Sequence, residues 1–157
     1  MAGTPAAGDR APAFNLPCDG GTKLSLSSLK GQKVVLYFYP KDNTSGCTKE
    51  AIDFNGLKAK FAKAETVVIG VSPDSVDSHD KFKKKFKLGF PLVSDEDKSM
   101  LTAYGVWVEK SMYGRKYMGV ERTTFLIDRK GKIAQVWNKV KVPGHAEDVL
   151  EAAKALD

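Results

Sequence analysis

The stretch Lys33-Val34-Val35-Leu36-Tyr37-Phe38-Tyr39-Pro40-Lys41-Asp42-Asn43-Thr44-Ser45-Gly46-Cys47 decides the fold. Lys33 to Tyr39 is a near-continuous apolar run of β-branched and aromatic residues, the composition of a central strand covered on both faces. Pro40 ends that strand because it brings no N–H to a ladder. A short turn follows, and Cys47 opens a helical pattern in which Ala51, Phe54, Leu57 and Phe61 share one face. A thiol at the start of a helix is stabilised as thiolate, since unpaired N–H groups and the helix dipole both favour negative charge there. The position reads Thr44-x-x-Cys47, where a dithiol reductase reads Cys-x-x-Cys. This thiol therefore has no partner sulfur within its own turn.

Toward the N-terminus, Lys23-Leu24-Ser25 and Phe14-Asn15-Leu16 form a short hairpin around Asp19-Gly20-Gly21, and residues 1–12 read as a loose leader. Ser27 to Gly31 suggests a brief helical turn. Toward the C-terminus, Gly56 weakens the expectation of one unbroken helix after Cys47, at about 1 kcal/mol relative to alanine. Thr66–Val71 is a second buried strand, and Ser72-Pro73-Asp74-Ser75 caps a helix reaching about Leu88. Phe90–Val93 is a short strand, and Ser94 to Asp97 begins a short helix ending near Tyr104-Gly105. Val106 to Met118 reads as irregular and aromatic. Thr123–Ile127 and Ile133–Trp137 pair across the Asp128–Gly131 turn, and Pro143-Gly144-His145 opens a last helix. Strands alternating with helices imply parallel crossovers, and the late hairpin adds antiparallel edges. The expected architecture is α/β: a thioredoxin-like fold, a mixed central sheet flanked by helices, with an N-terminal β-hairpin extension, in one domain spanning 1–157.

Composition narrows the chemistry. The chain has 157 residues, 42% hydrophobic and 28% charged, with a net charge of +6. That suits an ordinary globular domain. No run reaches the roughly 18 apolar residues of a membrane helix, and Met1 to Arg10 carries no apolar signal core. The basic run Lys81-Phe82-Lys83-Lys84-Lys85-Phe86-Lys87 places its two phenylalanines on one helical face, so a solvated amphipathic helix explains it. No groove-reading motif points to nucleic acid. Two cysteines, Cys18 and Cys47, are too few for a secreted disulfide scaffold and fit a reducing cytoplasm. His79 and His145 stand apart from both cysteines, which argues against a zinc site. His145 reads simply as a residue starting the last helix. Tyr39, Trp107 and Tyr113 read as packing.

Pro40-x-x-x-Thr44-x-x-Cys47 resembles the active-site signature of the peroxiredoxins. Three separated blocks, FYPKDNTSGCTKEA, YGVWVEKSMYGRKYMGVERTTFLID and KVKVPGHAEDVL, resemble the bacterioferritin comigratory protein (PrxQ) subfamily in order and spacing, from about Pro12 onward. The resemblance implies a thiol peroxidase without metal, haem or flavin, reducing hydrogen peroxide and organic hydroperoxides with electrons from thiols. By that resemblance Cys47 is the peroxidatic cysteine, Thr44 orients the peroxide, Pro40 shields the thiol, and Arg122 reaches the sulfur from a distant strand. A fixed cation there would stabilise thiolate and the charge growing on the leaving oxygen. Glu50, a carboxylate one turn from the thiol, makes sense if it pairs with a cation such as Arg122.

The chain departs from the subfamily at two positions. Ser45 stands where proline is usual. Ile52 stands five residues after Cys47, where many members place a resolving cysteine. Cys18 is then the only other cysteine in the chain and the only internal candidate for resolving Cys47. The expected cycle uses an external thiol instead: thioredoxin by resemblance, with glutaredoxin or glutathione as alternatives. A monomer is expected. The rival readings are a redox sensor or redox-regulated holdase, with Cys47 oxidation as the signal, and a disulfide reductase, which Thr44 opposes.

Overall fold

The structure is a computed structural model that describes residues 4–157. Its elements, in chain order, are β1 (Asn15–Pro17), β2 (Lys23–Ser25), β3 (Lys33–Phe38), α1 (Ser45–Gly56), α2 (Lys58–Lys63), β4 (Thr66–Ser72), α3 (Val76–Phe86) and β5 (Leu92–Ser94). There follow α4 (Ser99–Ala103), β6 (Trp107–Met112), β7 (Arg115–Val120), β8 (Thr123–Ile127), β9 (Ile133–Trp137) and α5 (His145–Ala155). The central sheet runs β5-β4-β3-β8-β9. β3, β4 and β5 are parallel, and β8 and β9 are antiparallel to their neighbours. This is the mixed sheet expected of a thioredoxin-like fold.

Every residue of β3 is buried, because both faces of the sheet are covered. Val35, Tyr37 and Tyr39 face one core with Phe54 of α1, Phe61 of α2, Phe82 of α3 and Val149 of α5. Val34, Leu36 and Phe38 face the other, with Leu101 of α4 and Tyr104. Gly70 of β4 leaves room for the first core: a Cβ there would meet Leu92 Cδ2 at 2.9 Å and the Tyr37 hydroxyl at 3.0 Å. α3 is amphipathic as its sequence predicts, with Phe82 buried and Lys81, Lys84 and Lys85 exposed. Among the described residues, no helix is long and apolar enough to cross a membrane.

Three expectations change, and the doubt raised by Gly56 is borne out. The leader is not loose from Gly8 onward: Gly8 N–H donates to Ile133 O (2.8 Å), Ile133 N–H to Asp9 O (2.8 Å) and Ala11 N–H to Gly131 O (2.9 Å). It covers the open edge of β9, and Ala11 enters the core. Residues 1–3 of that leader lie outside the described residues. As Gly56 suggested, the helix after Cys47 is not unbroken: it ends at Gly56 and restarts as α2. β5 begins two residues later than the apolar run Phe90–Val93 suggests. Residues 106–118 are not irregular: β6 and β7 pair in register from Trp107↔Val120 to Met112↔Arg115. Tyr113 and Gly114 make the connecting turn, with φ of 51° and 76°. Most of this ribbon is solvated on both sides, so no apolar alternation marks it; the Tyr-Gly turn was the available signal.

Candidate active site

The β3 ladder continues through Tyr39, whose N–H donates to Val71 O at 3.0 Å, and stops at Pro40. The chain turns through residues 41–44, with Asn43 in the left-handed region at φ 61°, and enters α1. Thr44 is the residue before the helix. Its carbonyl accepts the Thr48 N–H at 2.8 Å, but its hydroxyl does not cap the helix. That hydroxyl donates to Lys41 O at 2.9 Å. With its proton committed, the Thr44 oxygen is left as an acceptor for an incoming O–H.

Cys47 lies in the first turn of α1 and is 1% exposed. Its sulfur accepts from Arg122 Nη2 at 3.2 Å. The sheet explains this meeting of residues 75 apart in sequence. β8 runs antiparallel to β3 with Phe38 opposite Thr123, which delivers Arg122 to the end of β3 where the thiol loop departs. Val140 N–H holds the Arg122 carbonyl at 2.9 Å. Gly46 lies against the guanidinium: a Cβ there would stand 3.4 Å from Nη2, an ordinary van der Waals contact.

The other arm of Arg122 goes to Glu50, one turn after Cys47: Nη1 donates to Oε1 at 2.5 Å. One guanidinium thus bridges sulfur and carboxylate. Glu50 is 1% exposed, and among the described residues its Oε2 has no partner. Burial pushes the Glu50 carboxyl up to about 7, against the opposing pull of Arg122. The nearby Tyr37 hydroxyl is also buried without a partner among the described residues. Burial first, then the charges of Glu50 and Cys47, hold that phenol well above its ordinary value.

Sequence reasoning did not anticipate Gly46, Tyr37 or His145 here. His145 is buried rather than a plain helix-start residue, and its Nε2 pairs with the Thr124 hydroxyl at 2.8 Å. It packs edge-on against Phe54 and Trp137. Burial lowers it to about 4, so the ring is neutral beside the Arg122 cation. The only hint was its place between an apolar strand and an apolar helix face.

Cys18 is not brought to this site. It is 7% exposed and belongs to the core on the opposite face of the sheet from Cys47. Its thiol donates to Thr22 O at 3.2 Å, and its backbone bridges Val93. Ile52 stands half-exposed on the outer side of α1. Among the described residues, one cluster offers metal-ligating side chains, Asp42, Asp74 and His79, but their atoms are engaged with each other and with neighbouring hydroxyls.

Comparison with known proteins agrees along the chain. Residues 7–136 match the AhpC/TSA family. A putative peroxiredoxin Bcp of Coxiella burnetii is 54% identical over 143 residues, covering 91% of this chain and 95% of that one. Peroxiredoxin Bcp of Bacillus subtilis is 47% identical over 149 residues, covering 95% of each. Peroxiredoxin Q of Xanthomonas campestris superposes with a TM-score of 0.87 at 50% identity over 90% of both chains. A second structure from that organism, of a bacterioferritin comigratory protein described for its alkyl peroxide reduction activity, superposes with a TM-score of 0.87 at 49% identity over 90% of both chains.

Proposed function

Because this chain belongs to the AhpC/TSA family and, within it, to the Bcp/PrxQ peroxiredoxins, it is a thiol-dependent peroxidase, and we propose that Cys47 is the sulfur that reacts. The observation that carries this reading is the 3.2 Å contact from Arg122 to the Cys47 sulfur. A cation and the start of α1 both favour thiolate there. The thiolate attacks one peroxide oxygen; the S–O bond forms as the O–O bond breaks. The leaving alkoxide or hydroxide takes a proton from solvent, and Cys47 becomes a sulfenic acid. Arg122 lies where it can also stabilise negative charge on the departing oxygen. Thr44 accepts the peroxide O–H, Pro40 closes the loop over the sulfur, and Glu50 fixes the guanidinium.

The second half of the cycle uses an outside thiol. Cys18 faces the other core, so an internal disulfide would require the β1–β2 hairpin to leave that core. A donor thiol attacks the sulfenic sulfur and water leaves. A second thiol then displaces Cys47 from the mixed disulfide and restores its thiolate. Thioredoxin, glutaredoxin or glutathione supplies these electrons. Hydrogen peroxide and alkyl hydroperoxides are the substrates, the latter in line with the activity described for the Xanthomonas campestris protein. The protein acts as a monomer in the cytoplasm.

The test is the intact mass of the reduced protein after one equivalent of hydrogen peroxide, under non-reducing denaturing conditions. A gain of one oxygen, kept in Cys18→Ser and absent in Cys47→Ser, is expected. A loss of two hydrogens requiring both cysteines would make Cys18 the resolving residue. No change in mass would end the assignment of Cys47.

A further inference from the structure

The turn that carries Thr44 is gripped by a second buried cluster, which the reaction above does not use. His79 of α3 is 0% exposed. Its Nδ1 lies 2.7 Å from Asp42 Oδ2 and its Nε2 lies 2.9 Å from Val93 O. Both neighbours are natural acceptors. A neutral imidazole has one N–H and fills only one such contact as donor; the imidazolium fills both. The Asp42 carboxylate receives two further donors, Tyr39 Oη at 2.6 Å and Ser78 Oγ at 2.8 Å, a setting that suits the anion. Asp42 N–H is held by Asp74 Oδ2 at 2.7 Å, and the Ser72 hydroxyl shares that same oxygen at 2.7 Å.

The groups facing the ring are therefore Asp42 from the β3–α1 turn, Asp74 after β4, Tyr39 after β3, Ser78 on α3 and the Val93 carbonyl of β5. No cation is among them. Burial is the largest influence and opposes charge on the ring, but Asp42, the Val93 carbonyl and Asp74 together outweigh it and raise His79 above its ordinary value.

Asp42 sits between Lys41, whose carbonyl takes the Thr44 proton, and Asn43, whose left-handed backbone folds the turn back. We propose that His79 is a positioning residue for peroxide reduction: an imidazolium clamped between Asp42 and Val93, it fixes the Lys41–Thr44 turn and so the acceptor oxygen that receives the peroxide. This rests on the role given above to Thr44.

Two measurements test it. In reduced, histidine-15N-labelled protein at pH 7, both His79 ring nitrogens are expected to carry protons; a neutral single tautomer overturns the proposal. The second compares the rate constants for Cys47 oxidation by hydrogen peroxide and alkylation by iodoacetamide in the wild type, His79→Gln and Asp42→Asn. Alkylation needs the thiolate but not Thr44. The peroxide constant is expected to fall roughly tenfold in both variants while alkylation holds. Peroxide and alkylation rates falling together would assign the effect to Cys47 or to unfolding, and would overturn the proposal. Variants as fast as an active wild type overturn it alone; a wild type inert to peroxide overturns the Cys47 reading with it.

Discussion

The two cysteines are both buried, at 1% exposure for Cys47 and 7% for Cys18, and neither is in a disulfide, yet their hydrogen bonds run in opposite directions. The Cys47 sulfur accepts from a guanidinium. The Cys18 sulfur donates to the Thr22 carbonyl. An N–H facing sulfur favours the thiolate, whereas a carbonyl facing sulfur favours the thiol that supplies its proton. Degree of burial would rank these residues as near equals. The polarity of what each sulfur meets separates the proposed nucleophile from a packing residue.

The contrast breaks first at Cys47 itself. Cys47→Ser is expected to abolish peroxide consumption with any thiol donor and to abolish the oxygen addition seen by mass. Arg122→Gln comes next: removing the cation should slow Cys47 oxidation by roughly 10²-fold, measured by stopped-flow with hydrogen peroxide. Arg122→Lys should not rescue it. A lysine is a point charge and cannot span sulfur and carboxylate as the planar guanidinium does here. Full activity in Arg122→Lys would show that charge alone suffices.

The two halves of the contrast differ in how far the sequence revealed them. The run Lys33–Tyr39, Pro40 and the helical spacing after Cys47 are local, so strand, turn and helix follow from nearest-neighbour chemistry. Arg122 could be tied to Cys47 only through resemblance, because the antiparallel register of β8 on β3 is a property of the folded sheet. The partnership of Glu50 with Arg122 was one of two readings until both were placed. Cys18 stayed open for the same reason: which core a hairpin residue enters depends on how β1 and β2 dock. The β6–β7 ribbon was missed because solvated strands need no apolar alternation, and His79 because its partners, Asp42 and Val93, come from two separate segments far from it in the chain.

Glu50→Gln sharpens the Cys47 side with a smaller, two-part effect. The amide can still accept from Arg122 but offers no charge to anchor it, so the peroxide constant at pH 8 should fall by roughly tenfold. Stability should move the other way. The folded carboxyl is raised to about 7 from an ordinary 4.5, so the native state holds the proton more tightly than the unfolded chain. Its contribution is therefore fullest below pH 4.5 and is lost as pH rises through about 7. Glutamine does not titrate. Between pH 5 and pH 8 the variant should gain on the wild type by up to about 3 kcal/mol in urea melts, following the size of that shift. A difference independent of pH would mean that Glu50 ionises freely in the folded protein.

Cys18→Ser should have the smallest effect. The serine hydroxyl can make the same bond to Thr22 O, so the cost is that of a slightly underfilled apolar site, about 1 kcal/mol. Peroxide turnover with an external thiol should match the wild type at every donor concentration. An internal resolving residue would behave otherwise: its loss would leave the sulfenic acid waiting, slow the cycle at low donor and raise irreversible oxidation of Cys47 at high peroxide. A wild type and a Cys18→Ser variant that overoxidise at the same rate would place resolution wholly outside the chain. A faster loss in the variant would mean that the hairpin carrying Cys18 can leave its core and reach the other face of the sheet.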